Sequence, residues 1–598
     1  MRLWSISTTV RNPDRLRNFL KVLKLLEGKP FNSENQKNYQ ILLIQHKLYY
    51  PTNVPSKYQK FYDNPELSLS FRDAAEIFLN QNYQDPAMRG RQSVNPLNKL
   101  GFSIAREREG NILITELGNR FVKENDDIGY IFFKSLLKLQ FPNPWSKDFS
   151  SKFGFDIQPL IGTMQIINKV NNISDKKGLT QTEFSLFIPS LINYKLIDEY
   201  VEKILKYRQA RNKNQFIYDF AKEFYQINNP NEKQIKNFFE YGDNIMRYFR
   251  LTKYFKVETD KFGKNWMIDL EPTRKVELDL LLQEFSGKSF HFENIHSYLD
   301  YISDITLPKL PFEKIDSLKE IANLILSSVK NLVKTNKILL SAHDKKILDS
   351  AYQKFSKKEL EEYINKLREL NLSLKEKLSK IDLLNNTNKI ENIINNLKDI
   401  KTIKKFSPEQ FEKIITEALI ILNDEIKIKP NYPIDDNGQP ISHAPGNKPD
   451  IECFYESYNA ICEVTLDISN FQWVRETQPV MRHLRDFENR YSHAKNYCLF
   501  IAPKIHVDTL YHFWTSIKYG YDGIKQNIIP LTTEQFAILL ETMLLQIKNG
   551  KKITHKKIEK LYEEIIVKTN EINGHSGWLS LISKIINNWK INQIANGN

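Results

Sequence analysis

The stretch over residues 441–466 reads I-S-H-A-P-G-N-K-P-D-I-E-C-F-Y-E-S-Y-N-A-I-C-E-V-T-L. A loop rich in Gly and Pro leads into an apolar segment at residues 450–455, and a second apolar segment covers residues 460–466. We interpret the two segments as strands of a hairpin, joined by a polar turn over residues 456–459. This hairpin is the element around which the rest of the chain is organised.

Symmetric pairing about that turn predicts where the acidic side chains of the hairpin meet. It places Asp450 opposite Thr465, so that Asp450 and Glu463 are diagonal neighbours about 7 to 8 Å apart on one face. Carboxylates grouped at the end of a sheet suit Mg²⁺, which usually binds one or two of them in proteins. Such a metal can activate water for phosphodiester hydrolysis. We therefore predict that Asp450, Glu463 and Val464 form a metal site.

The same residues resemble the core motif of the PD-(D/E)xK nucleases. Pro449-Asp450 is followed, after twelve residues, by Glu463-Val464-Thr465. The last position of the motif usually holds Lys, and Thr465 cannot supply its positive charge. Lys448 or His483 could take that role, and spacing does not choose between them. The alternative interpretation is a surface hairpin that carries ordinary acidic residues.

Helical patterns on both sides of the hairpin add further candidates. Residues 471–490 form a predicted helix in which Glu476 and His483, seven positions apart, share one face. Ser407-Pro408 opens another predicted helix, which carries Glu412. A buried strand over residues 496–503 and a helix over 506–521 complete the layered order expected of a nuclease core. The predicted catalytic residues are Glu412, Asp450, Glu463, Glu476 and His483.

Length and composition set the wider frame. A chain of 598 residues is too long for one core, and three or four domains are expected. The net charge of +14 favours a polyanionic partner. Cys453, Cys462 and Cys498 have no metal-binding or redox spacing and are interpreted as small core residues. Without a signal peptide or a membrane-length apolar stretch, we expect a soluble, cytoplasmic protein.

The N-terminus supplies a second resemblance. Residues 4–10 alternate like a strand, and Asn12-Pro13-Asp14 precedes a predicted helix over residues 15–26. The run W-S-I-S-T-T-V-R-N-P-D-R-L-R, with H-A-P-G-N-K-P-D-I-E and E-V-T-L downstream, resembles the AlwI-type type IIS restriction and nicking endonucleases. The resemblance implies an N-terminal DNA-recognition region, a helical linker and a C-terminal Mg²⁺-dependent nuclease. It also implies cleavage a few base pairs outside an asymmetric site.

A winged-helix outline is predicted from residue 70 onward. Residues 70–80 and 90–100 read as two helices, and residues 103–118 as a hairpin that turns at Glu109-Gly110-Asn111. Arg reads guanine, and Asn or Gln reads adenine, through bidentate hydrogen bonds in the major groove. The candidates at the second helix are Arg89, Arg91, Gln92 and Asn95. The alternative is that these polar residues only cover a solvated face.

Two later stretches repeat this outline less clearly, over residues 162–191 and residues 235–270. We interpret them as a second and a third module. Lys261 and Lys264 lie at the tip of a basic wing in the third module, where contacts to phosphate are expected.

These observations predict a mixed α/β multidomain chain. Residues 1–310 form a DNA-recognition region with helix-rich, winged-helix-type modules. Residues 311–405, which lack Gly and carry Leu and Ile at helical spacing amid charge, form a helical linker. Residues 406–598 form an α/β endonuclease domain of PD-(D/E)xK type.

The predicted activity is Mg²⁺-dependent, sequence-specific cleavage of double-stranded DNA at a short offset, with no membrane partner. A monomer is expected to cut one strand as a nickase. A transient homodimer or a second nuclease subunit would supply the second cut. Two other readings stay open: a non-catalytic winged-helix protein with a decayed nuclease domain, and a transposase or recombination nuclease.

Overall fold

The computed structural model describes residues 2–7, 10, 12–13, 15–63, 67–123, 127–143, 149–422, 425–446, 448–551 and 553–595. Contacts divide the chain into two units. The first comprises Met1–Gln59, Ser68–Glu258 and Trp266–Leu372, and the second comprises Lys60–Leu67, Thr259–Asn265 and Ser373–Asn598. The protein is helix-rich and mixed α/β, as predicted. Among the described helices, none is both long enough and apolar enough to cross a bilayer.

Helices dominate the chain up to the boundary between the units. They are α1 (Arg15–Lys24), α2 (Ser33–Gln45), α3 (Ser56–Asp63), α4 (Phe71–Leu79), α5 (Met88–Lys99), α6 (Glu116–Val122), α7 (Ile128–Lys138), α8 (Pro159–Ile173), α9 (Gln181–Phe187), α10 (Ile197–Gln209), α11 (Lys213–Tyr225), α12 (Glu232–Leu251), α13 (Lys275–Glu284), α14 (Ile295–Ser303), α15 (Ile315–Thr335), α16 (Ala342–Leu348) and α17 (Lys357–Asn385). The strands are β1 (Ser103–Ile104), β2 (Leu113–Ile114), β3 (Leu179–Thr180), β4 (Phe255–Thr259) and β5 (Trp266–Leu270).

The helices α4 and α5 and the β1–β2 hairpin appear where the sequence predicts them. Ser70 caps α4, because its side chain accepts a hydrogen bond from the backbone amide of Asp73, and the carboxylate of Asp73 accepts one from the backbone amide of Ser70. Helix α5 packs on α2 at Gly90, where an added Cβ would lie 2.0 Å from the carbonyl oxygen of Gln36. This contact leaves no room for a side chain at position 90.

Two local predictions for the first unit are wrong. The described residues among 4–10 form no strand. Leu3 to Ser7 are all buried, without the predicted alternation between core and solvent, and the amide of Trp4 donates to the carbonyl of Pro189. Thr8, Thr9 and Asp14 lie outside the described residues. The second strand of the early hairpin ends at Ile114 and not near residue 118. Thr115 caps α6 there, accepting a hydrogen bond from the amide of Gly118.

The two later modules expected in this region share one sheet. β3 pairs antiparallel with β5, with Leu179 opposite Ile268, and the strand order is β3-β5-β4. The stretches predicted as separate modules at 162–191 and 235–270 are therefore joined, with α10 and α11 between them in the chain. Sequence reasoning missed this because the pairing joins residues that are far apart along the chain.

The second unit is built on a five-stranded sheet with helices around it. Its strands are β6 (Lys427–Pro430), β7 (Ile451–Phe454), β8 (Tyr458–Val464), β9 (Lys495–Ala502) and β10 (Ile528–Thr532). Its helices after α17 are α18 (Thr387–Lys398), α19 (Ile400–Ile403), α20 (Pro408–Ile421), α21 (Gln472–Arg490), α22 (Val507–Lys518), α23 (Thr533–Lys548), α24 (His555–Glu571) and α25 (Trp578–Ala595).

The strand order in this sheet is β10-β9-β8-β7-β6. The pairs β6–β7 and β7–β8 are antiparallel, whereas β8–β9 and β9–β10 are parallel. The middle strands are buried, and the three cysteines lie within them as reduced core residues. Ser407 caps α20 with Pro408 at its first turn, as the sequence predicts.

The predicted register of the central hairpin is wrong by two residues. Ile451 pairs with Cys462 and Glu452 with Ile461, so Asp450 continues the register opposite Glu463 and not opposite Thr465. The turn is shorter than expected, because the amide of Tyr455 donates to the carbonyl of Tyr458 and closes a tight turn. A shift of two residues leaves every side chain on its predicted face.

Sequence reasoning missed strands β6 and β10. β10 contains Pro530, which argues against a strand interior. It lies at the edge of the sheet, where one side of the strand has no neighbour to bond. Thr532 then ends the strand and caps α23 through a capping box with Gln535.

Candidate active site

The centre of the candidate site is the pair Asp450 and Glu463 on neighbouring strands. Oδ2 of Asp450 accepts a hydrogen bond of 2.8 Å from the amide of Val464. In return, the backbone amide of Asp450 donates to the carboxylate of Glu463. Asn431, after β6, donates its amide to the carbonyl of Asp450 at 2.9 Å. The hairpin therefore holds the two carboxylates face to face through its own backbone.

Helix α20 contributes Glu412 from one side of the pair. The Glu412 side chain is buried, and its Oε2 accepts a hydrogen bond of 3.0 Å from the amide of Ala444. That contact fixes the loop that leads to Pro449 and Asp450. The negative charge of Asp450 acts on Glu412, which shows that the two carboxyl groups are near each other.

Helix α21 contributes Glu476 and His483 from the other side. Nδ1 of the buried His483 lies 2.8 Å from Oε1 of Glu463. Glu476 accepts a hydrogen bond from the hydroxyl of Thr465, the residue at the position where the motif usually has Lys. The structure thus brings together all five residues that the sequence predicts as catalytic. Lys448, the other candidate for the Lys role, is exposed on the loop.

The environment of these carboxyl groups disfavours their ionised forms. Burial and then the charge of Asp450 raise the pKa of Glu412 to about 9. Burial and the charge of Glu463 raise the pKa of Asp450 well above its ordinary value, and burial and the charge of Glu476 do the same to the pKa of Glu463. Burial is also the main cause of the raised pKa of Glu476. Mutual repulsion in a dry site costs free energy that a nearby cation would offset.

The imidazole of His483 shows the opposite shift. Burial and then the positive charge of Arg482 lower the pKa of His483 to about 4. At neutral pH the ring is therefore uncharged and can accept a proton.

The donor set suits a hard divalent cation in chemistry and charge. Asp450 and Glu463 supply paired carboxylates beside the backbone of Val464, and Mg²⁺ in proteins usually binds one or two carboxylates and keeps several waters. Within the part of the chain that the structure describes, no group of three or more His, Cys, Asp or Glu side chains is arranged to hold a metal ion. A cation would therefore rest on the two carboxylates and on ligands from substrate and water.

The candidate DNA-reading residues lie in the first unit, on and beside α5. Arg91 and Asn95 are exposed, whereas Arg89 and Gln92 are half-buried. Arg91 is already engaged, since it hydrogen-bonds Gln36 at 2.9 Å and pairs with Asp85. Asn95 offers its amide to solvent on the same helix.

The predicted wing residues Lys261 and Lys264 belong to the second unit. Both are exposed, and Phe262 between them packs edge-on against Phe406. The carbonyl of Phe262 accepts a hydrogen bond of 2.7 Å from the amide of Ser407, which caps α20.

Sequence reasoning passed over Arg482. The sequence predicts one helical face with Glu476 and His483, and position 482 does not lie on that face. The structure shows that the charge of Arg482 lowers the pKa of both Glu463 and His483. Its position directly before His483 was the signal that could have drawn attention to it.

Comparison with known proteins places the chain among restriction enzymes. The sequence model of a family described as AlwI restriction endonuclease matches residues 98–539. No curated protein matches the chain.

Three solved structures of restriction enzymes are similar to parts or most of the chain. The small subunit of the heterodimeric restriction endonuclease R.BspD6I is 24% identical, with a TM-score of 0.28, covering 33% of this chain and 98% of its own. Restriction endonuclease FokI is 12% identical, with a TM-score of 0.23, covering 94% of this chain and 99% of its own. FokI bound to DNA is 11% identical, with a TM-score of 0.21, covering 90% and 98%. Structural likeness this weak carries no functional argument.

Proposed function

This chain belongs to the AlwI restriction endonuclease family, and from that premise we propose that it is a Mg²⁺-dependent type IIS endonuclease. It recognises a short asymmetric sequence in duplex DNA and hydrolyses a phosphodiester bond at a short offset outside it. The net charge of +14 is in keeping with a polyanionic substrate.

One observation carries this proposal: carboxyl groups from two strands and two helices crowd together at one end of a buried sheet. Glu412, Asp450 and Glu476 form no ion pair with any residue that the structure describes, and burial raises the pKa of each. A fold retains such a costly cluster when a cation or a substrate offsets it, so perturbed carboxyl groups of this kind mark candidate active sites.

The residues of the cluster divide the work of hydrolysis. Asp450, Glu463 and the backbone of Val464 would hold Mg²⁺, which when bound activates water and stabilises the negative charge of the reacting phosphate. Glu412 keeps the loop before Asp450 in place through the amide of Ala444. Glu476 extends the negative field on the opposite side and orients the hydroxyl of Thr465.

His483 is suited to handle the proton of the attacking water. With Glu463 ionised, the carboxylate can only accept, so Nδ1 donates its proton and Nε2 retains the lone pair. The uncharged ring can then take a proton at Nε2. Glu463 fixes the ring orientation, as a carboxylate does for a general base in other hydrolases.

Specificity is assigned to the first unit. The α4, α5 and β1–β2 arrangement is the outline of a winged helix whose second helix enters the major groove. Arg89, Arg91, Gln92 and Asn95 would contact bases there, and Lys261 and Lys264 would contact phosphate. The strand order β3-β5-β4 beside α8, α9 and α12 supports a second module of the same type.

The division of labour proposed along the chain has three parts. Residues 1–310 read the DNA, residues 311–405 form a helical connection, and residues 406–598 cut with a PD-(D/E)xK-type core. With one acidic cluster, a monomer attacks one strand and acts as a nickase. The second strand is cut when a second nuclease domain joins, from a transient homodimer or another subunit.

Incubation of the purified chain with supercoiled plasmid and Mg²⁺ tests the proposal. We expect nicked circles first and linear DNA as enzyme concentration rises, with cuts mapping to a fixed distance from one asymmetric sequence. A non-catalytic DNA-binding protein would shift the plasmid without cutting it. Cuts scattered without a common neighbouring sequence would favour a recombination nuclease instead.

A further inference from the structure

The proposed active site lacks the positively charged lysine that its motif usually contains. Thr465 stands at the Lys position and is hydrogen-bonded to Glu476. The surrounding carboxyl groups bring negative charge to the site, and a bound scissile phosphate would add more. Hydrolysis spreads further charge over the phosphate oxygens in the transition state, so a preorganised positive group there lowers the barrier.

Helix α21 carries four arginines, and one of them differs from the rest. Within the described part of the chain, Arg482 makes no hydrogen bond and no ion pair, and its side chain is half-buried. Half-burial without a partner is unusual for a guanidinium, which has five donors to satisfy. The other three are held as follows: Arg475 by Asp467, Arg485 by Glu488 and the carbonyls of Tyr521 and Ile524, and Arg490 by Glu452.

Arg482 lies beside the cluster on α21. It precedes His483, whose Nδ1 lies 2.8 Å from Glu463, and the charge of Arg482 acts on both of these residues. Arg482 is thus near enough to influence the site electrostatically, yet no carboxylate among the described residues pairs with its donors. A planar guanidinium with free donors matches two oxygens of a phosphate.

We propose that Arg482 is a catalytic residue that binds the scissile phosphate and replaces the missing motif Lys. This inference rests on the proposed nuclease function. The other candidates are less suited, because Lys448 lies exposed on the loop and the Nδ1 of His483 is engaged by Glu463. The guanidinium stays charged at every working pH, so its contribution does not depend on a proton.

Its part in the reaction is electrostatic. The oxygen of water forms a bond to phosphorus, the bond from phosphorus to the leaving sugar oxygen breaks, and that oxygen leaves as a hydroxyl group after taking up a proton. The proton lost by the attacking water passes to a base of the site. Arg482 donates hydrogen bonds to non-bridging phosphate oxygens throughout and transfers no proton.

Four variants of the full-length chain test the role of the charge. Arg482→Ala removes the whole group, Arg482→Met keeps an apolar stem of similar reach, and Arg482→Lys keeps the charge without the fork. Arg490→Ala is the matched control, since it removes an exposed guanidinium from the far end of the same helix, and its partner Glu452 keeps Lys429. Single-turnover cleavage of a DNA duplex with Mg²⁺ is measured beside duplex binding without divalent cations.

We expect Arg482→Ala and Arg482→Met to cleave about 100-fold or more slowly than the unmodified chain, the loss typical of one transition-state donor. Arg482→Lys should recover part of the rate, and Arg490→Ala should stay near the unmodified rate. Binding and thermal unfolding should change little in all four.

Near-normal cleavage by Arg482→Met would overturn the inference, because it would show that only the packing of the stem matters. Arg482→Lys as slow as Arg482→Ala, together with an equal loss of binding, would overturn it as well. In both cases cutting by the unmodified chain would leave the nuclease function standing. An unmodified chain that never cuts DNA would overturn both.

Discussion

Both units bury charged side chains, but they treat them differently. In the first unit Lys134 and Lys138, side by side on α7, each donate to a backbone carbonyl, at 2.6 Å to Pro308 and 2.5 Å to Asp304. In the second unit the carboxyl groups near Asp450 face one another instead. A buried charge that a local acceptor satisfies is a structural device. Crowded carboxyl groups, of which Glu412, Asp450 and Glu476 have no ion pair among the described residues, point instead to a missing ligand.

The strongest test of this difference between the units is to remove the charge at the centre of the cluster. Asp450→Asn and Glu463→Gln keep the shape of the side chains while removing their charge. We expect cleavage to fall on the order of 1,000-fold, because water activation and metal binding are both lost. DNA binding, measured by gel shift, should persist. Glu456→Ala, in the exposed turn of the same hairpin, is the control.

Cleavage within tenfold of the unmodified chain in either variant would show that the repelling carboxyl groups have no catalytic role. The contrast between the units would then be one of packing only.

A smaller effect, on DNA binding, is expected from substitutions of the exposed residues of α5, whose function burial does not indicate. Asn95→Ala should weaken binding to the recognised sequence by about 1 to 3 kcal/mol and relax the preference at one base pair. Arg91→Ala should change the base preference less than Asn95→Ala does, because the Arg91 guanidinium is already paired with Asp85. Binding of both is measured by titration against matched duplexes, with Lys330→Ala as an exposed control. Equal affinity of the Asn95 variant for all duplexes tested would remove α5 from the reading surface.

The smallest expected effect concerns pH, and it has opposite signs in the two units. In metal-free protein, the folded-state pKa of Glu412 is raised to about 9, so the folded state keeps a proton that the unfolded chain has lost. Stability near α20 should therefore fall as pH rises from about 5 to 9. The pKa of Lys138 is lowered to about 7 by burial and by Lys134, so stability near α7 should rise between about pH 7 and 10.

Hydrogen exchange, corrected for intrinsic rates, would report both trends at about 1 kcal/mol per pH unit. Glu412→Gln and Lys138→Met should each flatten the trend in their own unit only. If stability changed with pH in the same direction near α20 and near α7, the predicted difference between the two units would be wrong.

Local signals predicted much of this structure from sequence. Ser70, Ser407 and the spacing of Glu476 and His483 each depend on neighbours within a turn or two, and the helices that they define are present. The same holds for the alternation that put Asp450 and Glu463 on one face of the hairpin.

The features that sequence could not give depend on distant or tertiary contacts. The hairpin register was set by a tight turn at Tyr455, whose ring stacks on the buried Tyr458. The β3–β5 pair joins residues on either side of four intervening helices, α9 to α12. Arg482 stands out only by comparison with the other arginines of α21, which have partners, whereas Arg482 has none among the described residues. No sequence period encodes any of these facts.

The contact at Gly90 has a consequence for anyone who wishes to redirect the protein to a new DNA sequence. Since a Cβ at this position would meet the carbonyl oxygen of Gln36 at 2.0 Å, any other residue would push α5 away from α2. A mutant library that varies the exposed positions of α5 should therefore keep residue 90 fixed as glycine. Side chains could then be exchanged on a helix that does not move, and altered specificity could be separated from altered geometry.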